Sequence, residues 1–104
     1  MKKVIMCGDS KDTVQEVLER IEDKFPNVMW GAQTKPSSWN PWSPKNNNVA
    51  LFIEKNTLTY NSGSKEYVDT YVYNNYPKND IVHFSDFLSE DDIQNEMSVS
   101  FLFN

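Results

Sequence analysis

The 104-residue sequence has few of the residues that form covalent or metal cross-links. It contains one cysteine, Cys7, and one histidine, His83. A single cysteine excludes an internal disulfide bond and is typical of a reducing compartment. One cysteine with one histidine cannot complete a zinc site of the usual Cys/His type. We therefore expect no structural zinc and no cofactor.

Basic charge and long apolar runs are also scarce. Ten basic residues stand against 15 acidic ones, and the net charge of -5 argues against direct nucleic-acid binding through neutralised phosphates. The longest apolar run, Val49 to Ile53, is far too short to cross a bilayer. The N-terminus lacks the apolar stretch of a secretory signal. We expect no membrane partner and a cytoplasmic location.

The apolar residues that are present suffice for one hydrophobic core. Hydrophobic residues make up 38% of the chain and aromatic residues 13%. This content argues against disorder, and neither an internal repeat nor a linker is visible. The length allows one compact domain. We predict a single domain spanning residues 1–104.

The clearest periodicity predicts an amphipathic helix. Apolar side chains at positions 14, 17, 18, 21 and 25 share one helical face. Ser10 and Thr13 are both candidate caps, so the helix can start anywhere from Lys11 to Val14. It ends at Pro26.

Other segments have the pattern of strands or of a second helix. The predicted strands are 2–7, 28–32, 49–53, 57–60, 80–84 and 97–103. A second short helix is expected near 64–75, with Tyr67, Val68, Tyr71 and Val72 on its inner face. The predicted fold class is α+β. One long amphipathic N-terminal helix packs on a mostly antiparallel sheet of about four to six strands.

Residues 33–48 form a predicted long loop rich in proline, asparagine and tryptophan. Its prolines restrict the backbone around Trp39 and Trp42. Large aromatic side chains on a stiff loop are typical of binding hot spots. The alternative is that they fold back over the sheet, and we expect at least one to be buried. Lys35 and Lys45 lie beside them and supply the cations that a nucleotide ligand would need.

The stretch from Asp86 to Glu96 contains five acidic residues and no basic one. Asp91, Asp92 and Glu96 allow two functional interpretations. In the first interpretation, these carboxylates imitate a nucleic-acid backbone and occupy a basic groove in another protein. In the second, they converge on a cation if the stretch is helical. The alternative is a solvated surface turn. Calcium is not supported because the spacing of an EF-hand is missing.

Two short motifs contain the residue types of a serine nucleophile and its base. Gly8-Asp9-Ser10 follows a predicted strand, and Asp80 and His83 have an Asp-x-x-His spacing. Together they resemble the motifs of the GDS-type serine hydrolases. The resemblance implies Ser10 as nucleophile, His83 as base and Asp80 as its orienting carboxylate. The chain is too short for that family's parallel α/β sheet and lacks its oxyanion-hole blocks. The competing interpretation is Ser10 as a helix cap and His83 as a strand residue.

A second resemblance covers residues 13–88. Trp30-Gly31, Pro36, Trp39-Asn40-Pro41, the strands at 49–53 and 57–60, and the segment 81–88 occur in this order. The arrangement resembles small accessory proteins of tailed bacteriophages. The resemblance implies a scaffold that binds a host or anti-phage defence component. It assigns no functional residues.

These observations lead to three functional hypotheses. The first is a non-enzymatic, phage-encoded protein in the host cytoplasm that inhibits or modulates a host or defence protein. Its expected contacts are Trp39 and Trp42 in the 33–48 loop, together with the acidic residues Asp91, Asp92 and Glu96. The second is a protein that sequesters a nucleotide signal, with Lys35 and Lys45 as its cations. The third is the serine hydrolase.

Overall fold

A computed structural model describes residues 2–90 and shows a five-stranded sheet with helices on both faces. The strands are β1 (Lys2–Met6), β2 (Met29–Trp30), β3 (Asn48–Glu54), β4 (Thr57–Gly63) and β5 (Ile81–His83). The helices are α1 (Lys11–Lys24), α2 (Lys65–Asn75) and α3 (84–90). Short 3-10 turns lie at Pro36–Ser38 and Lys78–Asp80.

The strand order in the sheet is β2-β4-β3-β1-β5. Strands β1 and β4 both pair with β3 in the antiparallel direction. Strand β5 runs parallel to β1, and β2 runs parallel to β4. The α+β class and the number of strands are confirmed. The expected mostly antiparallel sheet is corrected to a mixed one, because the helical crossover through α2 returns the chain parallel to β1.

Helix α1 buries the predicted apolar stripe against one face of the sheet. Val14, Val17, Leu18 and Ile21 are fully buried there with Ile5 and other sheet residues. The expectation of a long N-terminal helix is wrong in two respects. Strand β1 precedes α1, and α1 has 14 residues. Strand β1 lies between β3 and β5 and is covered on both faces. Its sequence is therefore a continuous apolar run and does not alternate between apolar and polar residues.

Helix α2 covers the opposite face of the sheet. Val68 and Val72 pack against Val4, Ala50 and Phe52. The expectation that Tyr67 and Tyr71 lie on the inner face of this helix is wrong, since Tyr67 is 55% exposed and Tyr71 is 40% exposed. Two valines fill the space above this part of the sheet, and the tyrosine rings are displaced to the sides of α2.

Helix α3 packs beside α1 through a residue from the acidic stretch. Phe87 is fully buried in the α1-side core. Arg20 Nη1 donates to the Leu88 carbonyl oxygen at 2.8 Å, and Lys24 Nζ pairs with Glu90 at 2.8 Å. The first part of the predicted surface turn is therefore a packed helix. Asp91, Asp92 and Glu96 and the predicted strand 97–103 lie outside the described residues.

Truncation of Phe87 tests whether α3 is part of the core. We expect Phe87→Ala to lower the free energy of unfolding by about 3–5 kcal/mol, because a buried ring is removed and leaves a cavity. Denaturant unfolding followed by circular dichroism measures this change. Tyr73→Ala removes a comparable ring from an exposed position, and we expect it to change stability by about 0.5 kcal/mol or less. Equal effects of the two substitutions would contradict the buried position of Phe87.

Candidate functional site

The loop predicted at residues 33–48 is tied down at its start. The Trp30 N–H donates to the Thr34 carbonyl, and Gln33 closes the turn with a positive φ of 66°. The indole Nε1–H of Trp30 donates to the carbonyl oxygen of Pro36 at 3.0 Å. These bonds lead the backbone away from the sheet edge directly after β2.

The middle of the loop is bonded along α1. Gln15 Nε2 donates to the Ser37 carbonyl at 3.1 Å. The carboxylate of Glu22 accepts from Ser37 Oγ at 2.7 Å and from the Ser37 N–H at 3.2 Å. Asn40 Nδ2 donates to the Lys11 carbonyl at 3.1 Å. The loop therefore lies along α1 from Glu22 to Lys11, and its path is fixed by several side chains.

Trp42 anchors the second half of the loop. It is half-buried against the α1-side core, and its Nε1–H donates to the Asp9 carbonyl at 2.8 Å. Its backbone N–H donates to Asn40 Oδ1 at 3.0 Å. Trp42 thus joins the loop to the segment between β1 and α1, which is a structural role.

Trp39 is different, since it is 49% exposed on top of two other aromatic rings. Its ring centroid lies 5.2 Å from Trp30 and 5.3 Å from Tyr60, and both pairs meet edge to face. Trp30 is buried below, and Tyr60 is 44% exposed. We call Trp30, Trp39 and Tyr60 the aromatic patch. Edge-to-face contacts of this kind stabilise each ring by about 0.5–1.5 kcal/mol and restrict its orientation.

The sequence left the exposure of Trp39 and Trp42 open, and the two residues differ. Asn40 and Pro41 separate them along the chain, and Pro41 is buried. Trp39 is exposed on the patch and Trp42 is half-buried against the α1-side core, so neither is fully buried, as was expected of at least one. The sequence pattern contained no signal for this difference, because it depends on hydrogen bonds to Asp9 and Lys11, which are distant in the chain.

Both lysines of the loop have exposed side chains. Lys35 occupies the position before the 3-10 turn and makes no side-chain capping bond, and Lys45 lies in the turn closed by backbone bonds between Ser43 and Asn46. Hydrogen bonds from Ser37, together with the charge of Lys35, hold the pKa of Glu22 below its ordinary value. The charge of Lys35 therefore favours the ionised carboxylate of Glu22 on α1.

The three residues of the hydrolase hypothesis occupy separate local environments. Ser10 Oγ accepts from the Thr13 N–H at 3.3 Å and caps α1. His83 Nδ1 lies 2.8 Å from Ser85 Oγ and accepts from the Ser85 N–H at 3.3 Å. Asp80 precedes β5 and His83 ends it, so their Cα atoms are about 10 Å apart along an extended strand. Within residues 2–90, no hydrogen bond joins Asp80 to His83.

Cys7 has the surroundings of an unreactive thiol. It is fully buried at the end of β1, and its Sγ donates to the Ile5 carbonyl at 3.6 Å. Burial raises the pKa of the Cys7 thiol far above its ordinary range. The nucleophilic thiolate is therefore strongly disfavoured.

A cleft that the sequence did not predict lies on the α2 face. It has a volume of about 270 Å³ and lies where the parallel strands β1 and β5 end beside α2. Its polar lining comes from Gly8, Asn48, Lys65, Asp69, Tyr73 and His83. Lys65 Nζ binds Asp69 Oδ2 at 2.6 Å, and this bond raises the pKa of Lys65. These residues are scattered along the chain, and the parallel pairing of β1 with β5 brings them together.

No family model, curated protein or solved structure matches this chain. In the described part of the chain, no helix has the length and apolar character needed to cross a membrane. Among the same residues, no three side chains of histidine, cysteine, aspartate or glutamate form a group that could hold a metal ion. The aromatic patch and the cleft are therefore the two candidate functional surfaces of the described residues.

The bond between the loop and α1 predicts a pH-dependent contact. The pKa of Glu22 is lowered below its ordinary value of 4.5, first by the Ser37 hydroxyl. Since the folded pKa is the lower one, this contact stabilises the fold above pH 4.5 and is lost as the pH falls through the folded pKa. We expect Ser37→Ala to raise the pKa of Glu22 toward 4.5, as measured by NMR titration of its carboxyl carbon.

Ser38→Ala is the matched control for this titration. The Ser38 hydroxyl donates to the Lys35 carbonyl instead of to Glu22. We expect the pKa of Glu22 to stay lowered in this variant. A Glu22 pKa that is the same in the Ser37 variant and in the unmodified chain would contradict the described contact.

Proposed function

We propose that this chain is a non-enzymatic binding protein that recognises a partner protein through the aromatic patch. The observation that carries the proposal is the position of Trp39. Its indole is 49% exposed, yet it is held against Trp30 and Tyr60 and on a loop bonded to α1. An exposed tryptophan in a fixed orientation is the usual centre of a protein interface.

The energetics of association support this proposal. Binding loses less conformational entropy when the contacting side chain is already ordered. Trp39 has two rotatable side-chain bonds, and its ring contacts restrict both of them. The exposed half of the Trp39 ring does not contribute to core packing, since Trp30 lies between that ring and the interior. The exposed area of Trp39 and Tyr60 is therefore available to a partner.

We further propose that the partner is a host or anti-phage defence protein in the host cytoplasm and that binding inhibits or modulates it. The support for this part is the resemblance of residues 13–88 to small accessory proteins of tailed bacteriophages. The net charge of -5 favours a partner with a basic surface. Asp91, Asp92 and Glu96 contribute to that charge and are proposed to assist the encounter electrostatically.

Removal of the Trp39 ring tests the patch directly. We expect Trp39→Ala to weaken binding of the partner by more than about 1 kcal/mol, about fivefold or more in dissociation constant, because the central contact is lost. Immobilised wild-type and variant chains would be compared for the proteins that they retain from bacterial host lysate. The affinity of any protein retained by the wild type alone would then be measured by calorimetry.

Two variants control this comparison. Tyr73→Ala removes an aromatic ring that is 57% exposed on α2, where it lines the cleft and not the patch, and binding through the patch should be unchanged. Trp42→Ala should lower the thermal stability, since this indole anchors the loop to Asp9. A folded Trp39 variant that retains the same proteins with the same affinity would refute the proposed role of the patch.

The cleft beside α2 favours a second candidate function, which is small-ligand binding. It combines an ammonium group, a carboxylate, an imidazole and an amide around a volume of about 270 Å³. Open α/β sheets bind ligands at the carboxyl ends of parallel strands, which is where this cleft lies. We propose a nucleotide as the ligand, with Lys65 facing its phosphate. Lys35 and Lys45, the cations expected from the sequence, lie outside this cleft.

A thermal-shift screen with nucleoside mono-, di- and cyclic phosphates tests the second candidate. A nucleotide that binds the folded state at 100 times its dissociation constant adds about 2.7 kcal/mol of stability and raises the melting temperature by several degrees. We expect Lys65→Gln to reduce this rise and Lys78→Gln, outside the cleft, to preserve it. A flat response across the panel, or a rise that Lys65→Gln leaves intact, would rule out this ligand.

A further inference from the structure

The outer edge of β4 is paired along only part of its length. Strand β2 pairs with Thr57 and Leu58, whereas β4 continues to Gly63. The chain leaves this edge at Gly31, because the Gln33 N–H bonds back to the Trp30 carbonyl in a tight turn. Within residues 2–90, no strand pairs with the outer side of 59–63.

The register identifies the backbone groups at this open edge. The Val49 N–H donates to the Gly8 carbonyl, and the Val49 carbonyl accepts from the Cys7 N–H, so the Val49 backbone is directed toward β1. Neighbouring residues of a strand alternate in direction, so Ala50 is directed toward β4 and bonds with Asn61. Tyr60 and Ser62 therefore direct their N–H and C=O groups away from β3. In the described part of the chain, neither residue gives these groups to another strand.

The aromatic patch adjoins the same open edge. Tyr60 belongs to both, since its backbone faces outward and its ring contacts Trp39 at a centroid distance of 5.3 Å. A strand added beside β4 would lie about 4.8 Å away and direct every second side chain to the α1-side face. One of those side chains would lie beside Tyr60 and Trp39. The edge thus offers main-chain bonds for affinity and the patch offers a contact for selectivity.

We infer that the partner binds as an extended, positively charged segment that adds a strand to the open edge of β4 and contacts the aromatic patch. This inference rests on the proposed protein-binding function and specifies its partner. The net charge of -5 on this chain favours the approach of a positively charged segment over a negatively charged one. An arginine or lysine at the patch would also be attracted by the face of the exposed indole. A second copy of this chain fits less well, because two chains of the same net charge repel each other.

A pair of substitutions at Ser62 separates strand addition from other contacts. Ser62→Pro removes the outward N–H and leaves the bonds to β3, which come from neighbouring residues. Ser62→Ala removes the hydroxyl and keeps the N–H. The probe is a displayed library of random linear 12-residue peptides selected on the full chain. We expect the selected peptides to be positively charged, to bind wild type and Ser62→Ala equally, and to bind Ser62→Pro at least tenfold more weakly.

Each outcome of this comparison decides between the inference and the proposed function. Equal binding to both Ser62 variants, with loss in Trp39→Ala, would overturn strand addition and leave the patch as the binding surface. Equal binding to all variants would refute the inference and remove its support for the patch. Failure to select any peptide would also overturn the inference, whereas the lysate comparison with Trp39→Ala would still test the proposed function.

Amide hydrogen exchange provides a test that needs no variant to fold. A selected peptide should slow exchange at Tyr60 and Ser62 by at least tenfold. Thr59 and Asn61, already bonded to β3, should change little. Slow exchange of the Tyr60 and Ser62 amides in the free chain at every concentration would show that the chain covers its own edge. Slowing that depends on chain concentration would identify a second copy as the occupant, and either result would overturn the inference.

Discussion

The burial of the apolar stripe of α1 against the sheet is the contact on which the candidate site depends. Four side chains of this helix are fully buried, and Leu18 is among the largest of them. Burial of each such side chain contributes about 1.5–3 kcal/mol. The packed helix then provides the polar groups, from Glu22 to the Lys11 carbonyl, that bind the loop. Without a fixed α1, the loop would lose most of its partners and Trp39 its position.

The sequence predicted the elements that periodicity determines and missed those that depend on distant contacts. The spacing of Val14 and Ile21 is sufficient for α1, because one helical face must be buried wherever it packs. The same reasoning failed for Tyr67 and Tyr71, since α2 covers a part of the sheet that two valines fill. Periodicity indicates which residues share a face. It does not indicate how wide the covered area is.

The site itself was predicted in part. The composition of the loop predicted a stiff segment carrying tryptophans, but it could not indicate which of them is exposed and which is half-buried. That assignment comes from the bond between Trp42 and Asp9, residues 33 positions apart. Tyr60 was missed because the sequence around a single strand tyrosine does not indicate that the ring of Trp39 will pack against it. The cleft was missed because it is formed where β1 pairs with β5. These two strands lie at opposite ends of the described chain, and the sequence does not indicate that they pair.

The patch and the cleft lie on opposite faces of the sheet and on different strands. The patch belongs to β2 and β4 on the α1 side, and the cleft belongs to β1 and β5 on the α2 side. Three strand spacings of about 4.8 Å separate β4 from β5, which places them about 14 Å apart across the sheet. A partner at the patch would therefore leave the cleft accessible. The two surfaces are connected through the loop, because Trp42 Nε1–H donates to the carbonyl of Asp9, which adjoins Gly8 of the cleft.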